Sequence, residues 1–196
     1  MEKLLLHHGI NLYFDKNKIC FLIPARGGSK GIVNKNLKKI NSISLVELSI
    51  NFALKFVTNK NIFLSSDYEK ILKIGLKKKI NILKRPKKLS HGRVSDIDLI
   101  IPSLNMILKK NSDLDYLVYL QPTSPIRKAI HLKKALELIC INNFDSVWSV
   151  SKIDNKYHPL KLLRMEENKN IKLYSNKGKN IIARQQLGDL YIRNGV

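Results

Sequence analysis

The chain has 196 residues, of which 44% are hydrophobic and 26% are charged, with a formal net charge of +21 at pH 7. This composition predicts a globular domain with a real core; it excludes a disordered chain, and no apolar run approaches the roughly 20 residues of a membrane-spanning helix. The charge suits a polyanion, but lysines occur on nearly every predicted element, so we expect no nucleic-acid or membrane partner. A small anionic substrate is consistent with this charge but does not follow from it.

Short apolar runs alternate with helix-period segments along the chain. The apolar runs predict strands at 19–25, 62–66, 80–83, 116–120 and 145–150. Between them, apolar residues at helical spacing predict helices over 45–56, 68–77, 97–107 and 132–139. This alternation is typical of an α/β fold with three layers, in which helices cover both faces of a mainly parallel sheet.

Two cysteines fall on these elements, Cys20 in the first strand and Cys140 in the last helix. Both suit core positions in a reduced protein better than a disulfide. The N-terminus has no apolar segment long enough for a secretory signal. The sequence therefore predicts a cytoplasmic location.

Polar loops follow four of the predicted strands. They are `ARGGSKGIVNKN` (25–36), `SSD` (65–67), `KRPKKLSHGR` (84–93) and `QPTSPIR` (121–127). Ligands of such sheets bind outside the carboxyl ends of the strands, so we expect these loops to form one crevice. Its backbone amides, hydroxyls and cations are suited to phosphate chemistry rather than to a metal–thiolate or Ser-His-Asp site.

The first loop has the features of a phosphate cradle. Gly27, Gly28 and Gly31 allow a tight turn and close approach of a ligand to the backbone. Arg26 and Lys30 supply adjacent positive charge for a transferring phosphoryl group. The spacing matches neither G-x-x-x-x-G-K-[ST] nor G-x-G-x-x-G. Taken alone, the loop is equally compatible with a surface turn.

Seven segments together resemble a known family. `IPARGGSKGIVNKNLKKINSISLVELSI`, `SSD`, `RPKKLS`, `YLQPTSPIR`, `DSVWSV`, `HPLK` and `RQQL` follow the order and spacing of the acylneuraminate cytidylyltransferases, the CMP-sialic acid synthetases. The resemblance covers residues 19–195. It implies a nucleotide-diphospho-sugar transferase fold of Rossmann-like type, with an extended dimerisation segment. It also implies CMP transfer from CTP to a nonulosonic acid, Mg²⁺ as cofactor, a homodimer, and a role in cell-surface polysaccharide synthesis.

The resemblance also implies roles for individual residues. Arg26 and Lys30 would bear the transition-state charge. The nucleotide would contact Arg26, Gly27, Gly28, Ser29, Lys30, Asn36, Arg85 and Ser95. The sugar would contact Gln121, Ser124, Lys161 and Arg184, the last two reaching across the dimer. The resemblance is compatible with sialic, legionaminic or pseudaminic acid as the acceptor.

Five residues keep simpler interpretations beside these. Asp67 is a weak metal candidate that we expect to cap the next helix through its carboxylate. Arg85 could be a solvated loop residue, and Gln121 could serve to cap a turn. His158 suits a packing or hinge role better than catalysis, and Trp148 suits the core.

The sequence also departs from the family pattern. Asp96 stands where the family commonly has the second serine of a pair, and a carboxylate beside a nucleotide is electrostatically unfavourable. The family's C-terminal D-x-D pair, which binds Mg²⁺, has no counterpart in these residues. We therefore expect either a weakened enzyme, truncated at its C-terminus, or a non-catalytic homologue that retains nucleotide binding or dimerisation.

The predicted organisation has three parts. Residues 1–17 match nothing and form an N-terminal extension. The nucleotide-binding α/β domain spans 18–150. The dimerisation and sugar-contacting segment spans 151–196.

Overall fold

The computed structural model describes residues 3–5, 13–29 and 31–195. Its contacts divide the chain into two units. The first, which we call the α/β unit, comprises Met1–Val147 with Gly195–Val196. The second, the C-terminal unit, comprises Trp148–Asn194.

The α/β unit is built around a parallel sheet. Its strands are β1 (Lys3–Leu5), β2 (Tyr13–Asp15), β3 (Ile19–Pro24), β4 (Lys39–Ile40), β5 (Ile43–Ser44), β6 (Ile62–Ser66), β7 (Asn81–Lys84) and β8 (Tyr116–Tyr119). Its helices are α1 (Leu45–Ala53), α2 (Glu69–Lys77), α3 (Asp96–Leu108) and α4 (Ala129–Asn142). The order β7-β6-β3-β8 forms a four-stranded sheet in which every neighbouring pair is parallel. Two antiparallel pairs, β1 with β2 and β4 with β5, stand apart from it.

Strand β3 lies at the centre of the core because its side chains are buried on both faces of the sheet. Phe21 and Ile23 belong to an apolar cluster that includes residues of α1, α2 and α4. Cys20 and Leu22, which point to the opposite face, cluster with Ile107 of α3. Helices therefore cover both faces, which confirms the predicted three-layer α/β fold.

The residues just before β3 belong to this unit as well. Phe14 is buried among the core residues and packs edge-on against the ring of Tyr116. The side-chain amide of Asn61 donates to the backbone carbonyls of Lys16, Asn17 and Ile19. Residues 14–17 of the predicted N-terminal extension thus pack on the α/β unit, and residues 1–2 and 6–12 of that extension lie outside the described chain.

The C-terminal unit contains two small antiparallel ribbons. Strand β9 (Val150–Lys152) pairs with β12 (Tyr191–Arg193), and β10 (Leu163–Met165) pairs with β11 (Ile171–Leu173). The strand predicted at 145–150 is therefore wrong. The apolar residues there suggested a buried parallel strand, whereas β9 is exposed and pairs with the antiparallel β12.

Trp148 is more exposed than its predicted place in the core requires. The prediction that Trp148 is a core residue is wrong, because the side chain is 57% exposed and the guanidinium of Arg193 lies 4.1 Å from its ring centroid. That spacing is a cation–π contact, which an exposed indole can make.

Over the described ranges, no helix combines the length and the apolar character needed to cross a membrane.

Candidate functional site

A cleft of about 230 Å³ opens at the carboxyl ends of the parallel strands of the α/β unit. Its walls come from the loops after β3, β7 and β8 and from the start of α3. Six of the residues singled out in the sequence line it: Arg26, Ser29, Asn36, Arg85, Ser95 and Gln121. Three of the four polar loops that were expected to form one crevice therefore line this cleft, whereas residues 65–67 are not among its lining residues.

The loop after β3 is held at its beginning by the neighbouring strand. The backbone N–H of Gly27 donates to the Asp67 carboxylate, with 3.0 Å between nitrogen and Oδ1. The expectation that Asp67 caps α2 is wrong, because α2 has Tyr68 at its N-cap and no side-chain cap. The Tyr68 N–H instead reaches the hydroxyl of Ser66. Lys30, the second predicted catalytic cation, lies outside the described residues.

Asn36 fixes the same loop from the other side. Its side-chain amide nitrogen donates to the backbone carbonyl of Arg26 at 2.9 Å. The side chain is 5% exposed, and its Oδ1 has no hydrogen-bond partner among the described residues. A buried acceptor without a partner costs free energy. Asn36 therefore offers the cleft an acceptor for a ligand N–H or O–H.

Arg85 is a buried cation at the base of the cleft. Its guanidinium donates to the carbonyl of Ser65 at 2.9 Å and to the Ser65 hydroxyl at 3.3 Å. The residue is 8% exposed, so the interpretation as a solvated loop residue is wrong. Burial lowers the pKa of Arg85, and the positive charge of Arg26 lowers it further, against the opposing charge of Asp67. Two guanidiniums that repel each other line one cleft, an arrangement that an anion would stabilise.

Ser95 is the N-cap residue of α3. Its hydroxyl donates to the Asp98 carboxylate at 2.6 Å and accepts from the Asp98 N–H at 3.2 Å, a capping box. This bond from Ser95 lowers the pKa of Asp98. The predicted nucleotide contact of Ser95 therefore competes with a helix cap.

The next residue, Asp96, was expected to be unfavourable in a nucleotide site. In the structure its Oδ1 accepts from the Tyr119 hydroxyl at 2.9 Å. The side-chain nitrogen of Gln121 lies 3.3 Å from both carboxylate oxygens. Asp96 thus contacts two neutral donors of β8 and the loop that follows it. No pattern in the sequence indicated this contact.

The `QPTSPIR` loop is anchored by its last residue. The guanidinium of Arg127 donates to the Gln121 carbonyl and to the Ser49 hydroxyl. Burial lowers the pKa of Arg127 to about 10. The Gln121 carbonyl also accepts from the Ser124 N–H at 3.2 Å. The backbone of Gln121 therefore shapes the turn, while its side chain faces the cleft.

The remaining predicted sugar contacts belong to the C-terminal unit. Lys161 and Arg184 are both exposed there. His158 in the same unit is buried, and its Nδ1 accepts from the N–H of Leu160 at 3.2 Å. That bond fixes the backbone of the turn, which favours a packing role for the imidazole over a catalytic one.

Metal ligands are sparse in this site. Within residues 3–5, 13–29 and 31–195, no three His, Cys, Asp or Glu side chains are grouped so as to hold an ion. Asp67 already accepts from Gly27, and Asp96 accepts from Tyr119 and Gln121. The described side chains therefore do not fit a metal site made of protein ligands alone.

Comparison with known proteins places the chain in a family. A protein-family model described as "Cytidylyltransferase" matches residues 20–193. An N-acylneuraminate cytidylyltransferase of Streptococcus agalactiae serotype V is 33% identical over 180 residues, which make up 90% of this chain and 41% of that protein. Post-translational flagellin modification protein B of Campylobacter coli is 31% identical over 185 residues, covering 91% of this chain and 75% of that protein.

A solved structure agrees in fold. The structure of CMP:2-keto-3-deoxy-manno-octonic acid synthetase complexed with CTP superposes with a TM-score of 0.59 over 91% of this chain and 72% of that one, at 14% identity. The chain spans about two fifths of the length of the Streptococcus protein. The match of the family model over nearly all of the sequence, together with the relatives and the shared fold, shows that this chain belongs to the cytidylyltransferase family.

Proposed function

We propose that this chain transfers CMP from CTP to the anomeric hydroxyl of a nonulosonic acid, a sialic-type sugar, with release of pyrophosphate. The observation that carries the proposal is the cleft itself. In a chain of the cytidylyltransferase family, Arg26 and Arg85 converge there beside a glycine loop and a buried, unpartnered acceptor on Asn36. The name of the Streptococcus relative supports the choice of acceptor.

The cleft binds the triphosphate through charge. Arg26, Lys35 and Arg85 line it, whereas its acidic side chain, Asp96, already accepts from two donors. A triphosphate between the arginines relieves their mutual repulsion and gains charge-assisted hydrogen bonds. Lys30 adds a further cation in this proposal. The Asn36 oxygen accepts from a donor of the nucleotide.

The reaction is an in-line displacement at phosphorus. The anomeric oxygen of the sugar forms a bond to the α-phosphorus of CTP, and the bond from that phosphorus to the bridging oxygen of pyrophosphate breaks. The proton of the sugar hydroxyl leaves to solvent. Negative charge moves onto pyrophosphate, where Arg26 and Lys30 stabilise it. The chain thus contributes positioning and positive charge.

Mg²⁺ belongs to the proposal as the family resemblance implies it. Since the described side chains do not form a metal site, the ion would rest mainly on the phosphate oxygens of CTP. Mg²⁺ usually keeps waters and takes only one or two carboxylates from a protein. Asp67, beside the glycine loop, is the candidate carboxylate. The ion would neutralise phosphate charge.

The sugar side of the site involves a second chain. Gln121 and Ser124 are the proposed contacts from the α/β unit, and Lys161 and Arg184 are the proposed contacts supplied across a homodimer. The exposed apolar surface of the C-terminal unit supports an association of this kind. Its large exposed apolar side chains include Trp148, Leu163, Met165, Ile171, Tyr174, Ile182, Tyr191 and Ile192.

We place this activity in the cytoplasm. Cys20 and Cys140 are both free thiols in the structure. Burial raises the pKa of Cys20 to about 12, so the thiol stays protonated and unreactive in the core. This arrangement suits a reducing compartment.

A coupled assay tests the proposal. The purified chain is incubated with CTP, Mg²⁺ and, separately, N-acetylneuraminic, legionaminic or pseudaminic acid, and pyrophosphate release is followed together with formation of the CMP-sugar. We expect release with at least one acid, no release without an acid, and loss of release with Arg26→Ala. Absence of release with every acid, while CTP still binds, would instead support a non-catalytic nucleotide-binding protein.

A further inference from the structure

Three side chains inside the cleft, those of Asp96, Tyr119 and Gln121, are joined by hydrogen bonds, and the chemistry of Asp96 decides which of them donate. Asp96, the first residue of α3, faces Tyr119 at the end of β8 and Gln121 in the following loop. Its Oδ1 accepts from the Tyr119 hydroxyl at 2.9 Å, and Nε2 of Gln121 lies 3.3 Å from Oδ1 and from Oδ2. The helix cap does not use Asp96, because Ser95 and Asp98 supply it.

The chemistry of the carboxylate fixes the orientation of the Gln121 amide. An ionised carboxylate only accepts hydrogen bonds, so the end of the amide that faces Asp96 must be the NH₂ group. Burial is the main effect that raises the pKa of Tyr119, so its hydroxyl keeps its proton and donates as well. A flipped amide would bring Oε1 against a carboxylate oxygen, which repels it. The amide oxygen is therefore directed away from Asp96.

The amide oxygen has Gly195 as a close neighbour. Gly195 lies next to it, with a backbone φ of +67°, and a Cβ on this residue would be 3.3 Å from Oε1 and 3.0 Å from the Ser124 hydroxyl oxygen. A side chain at Gly195 would therefore crowd both polar groups. Gln121 also lines the cleft. The acceptor of fixed direction therefore belongs to a residue that lines the cleft.

We infer that Asp96 is a positioning residue that locks Gln121 as a hydrogen-bond acceptor, so that the sugar must present a donor, a hydroxyl or an amide N–H, at this point. The identity of the ligand rests on the proposed function. A serine at residue 96 would not impose this polarity, because a hydroxyl both donates and accepts. The carboxylate that looked unfavourable for a nucleotide thus selects the orientation of the other substrate.

The first test needs no substrate. The side-chain NH₂ resonances of Gln121 are assigned in a ¹H–¹⁵N spectrum by their disappearance in Gln121→Glu. We expect them to move in Asp96→Asn, since a neutral amide with one acceptor oxygen replaces the charged carboxylate whose two oxygens both lie 3.3 Å from Nε2 of Gln121. Resonances that stay in place in Asp96→Asn would overturn the positioning role, whether or not the chain is active.

The second test exchanges the polarity of the pair. Asp96→Asn and Gln121→Glu each disrupt the contact, and we expect either to raise the KM for the acid about tenfold with the KM for CTP within about twofold. The double variant D96N/Q121E places the donor on residue 96 and the acceptor on residue 121, keeps an outward-facing acceptor on residue 121, and has the same total charge. We expect it to recover most of the KM for the acid, a coupling that a purely structural role would not produce.

The two proposals fail in different ways. If the wild-type chain releases no pyrophosphate with any acid while the Gln121 resonances move in Asp96→Asn, the proposed function fails and the locked amide stands. If the chain is active but the effects of the single and double variants on the KM for the acid simply add, the inference about Asp96 fails and the proposed function stands.

Discussion

The carboxylate of Asp67 accepts a hydrogen bond from the backbone N–H of Gly27, with 3.0 Å between Oδ1 and the nitrogen. Just before it, the N–H of Ala25 donates to the carbonyl of Ser65 at 2.9 Å, which extends the pairing of β3 with β6 by one residue. The start of the glycine loop is therefore held by the neighbouring strand and its loop. Because the loop begins in a fixed position, its later amides need less ordering when a phosphate binds.

Substitutions of Asp67 separate this anchoring role from metal binding. Asp67→Asn keeps an oxygen that accepts from Gly27, whereas Asp67→Ala removes it. If the carboxylate anchors the loop, we expect Asp67→Ala to raise the Kd for CTP about fivefold, the equivalent of one hydrogen bond, and Asp67→Asn to leave it within about twofold. Titration calorimetry with and without Mg²⁺ measures both. If Asp67→Asn weakens CTP binding only when Mg²⁺ is present, Asp67 is a metal ligand instead.

The glycine loop offers a matched pair of substitutions. A Cβ on Gly27 would lie 2.7 Å from the Cβ of Tyr68, whereas a Cβ on Gly28 would have no heavy atom within 4 Å. We expect Gly27→Ala to destabilise the fold by about 1–3 kcal/mol, because either the loop or the Tyr68 ring must move. Gly28→Ala serves as the control and should unfold like the wild type. Urea unfolding of both variants measures the difference, and equal midpoints would contradict the crowding at Gly27.

The sequence predicted the sheet well because its strands are buried. The run at 62–66 became β6, and the residues of β3 are apolar throughout because both faces are covered. The strand at 145–150 failed because the same rule was applied to residues without a covering helix. An apolar run shows that burial is needed but does not show what provides it, and here β9 remains exposed.

The site was predictable in location and less so in its contacts. The order of the strands was enough to gather Arg26 and Arg85 at one edge of the sheet. The partner of Asp67 lies 40 residues earlier in the chain, and no local pattern distinguishes that contact from a helix cap. Asp96 is similar, because its donors Tyr119 and Gln121 come from another strand and loop. Contacts between distant loops follow from tertiary packing rather than from spacing.

The hydrogen bonds between Ser44 and Glu47 at the start of α1 should make the free energy of unfolding depend on pH. Both the hydroxyl and the N–H of Ser44 donate to the Glu47 carboxylate, at 2.6 and 3.0 Å, and the side-chain bond from Ser44 is the main cause that lowers the pKa of Glu47. A lowered folded pKa contributes stability that is present above the unfolded value, about 4.3, and is lost as pH falls through the folded value.

Glu47→Gln removes this term. After allowance for solvent exposure, we expect it to destabilise the chain by about 0.5 kcal/mol at pH 7 and to differ little from the wild type near pH 3. Glu69→Gln is the control, because α2 begins at Glu69 without a side-chain cap. Urea unfolding at the two pH values measures the effect. A difference that grows as the pH falls would have the wrong sign for this account.

If the exposed apolar side chains of the C-terminal unit form the proposed homodimer contact, charged substitutions there should dissociate the dimer. Met165 is 71% exposed and Ile182 is 94% exposed. Light scattering after size-exclusion chromatography should give twice the 22.6 kDa mass of the chain, and we expect the double substitution Met165→Lys with Ile182→Lys to shift it toward one chain, since a buried apolar contact would receive two charges. Gln185→Lys, an exposed polar position of the same unit, is the control. A wild-type mass of one chain would exclude the dimer.

Replacing Arg85 should change the stability of the ligand-free chain and the affinity for CTP in different ways. The residue is 8% exposed, and its guanidinium donates to the carbonyl and the hydroxyl of Ser65. Burial lowers its pKa, which means that the folded protein holds this charge at a cost. Replacing a buried charge with an apolar side chain of similar length is often neutral or stabilising. Arg85→Met should therefore leave the Tm of the ligand-free chain unchanged or slightly higher.

The same substitution should weaken the ligand complex. Without the guanidinium, CTP loses a charge-assisted contact, and we expect its Kd to rise about tenfold and the Tm increase on adding CTP to shrink accordingly. Arg93→Met, an exposed arginine eight residues further along, controls for the loss of one positive charge. A lower Tm in the ligand-free variant, with the CTP-induced increase intact, would show that Arg85 supports the fold. The opposite pattern would assign the buried charge to nucleotide binding, because the charge then costs stability in the free chain and is stabilised by the bound triphosphate.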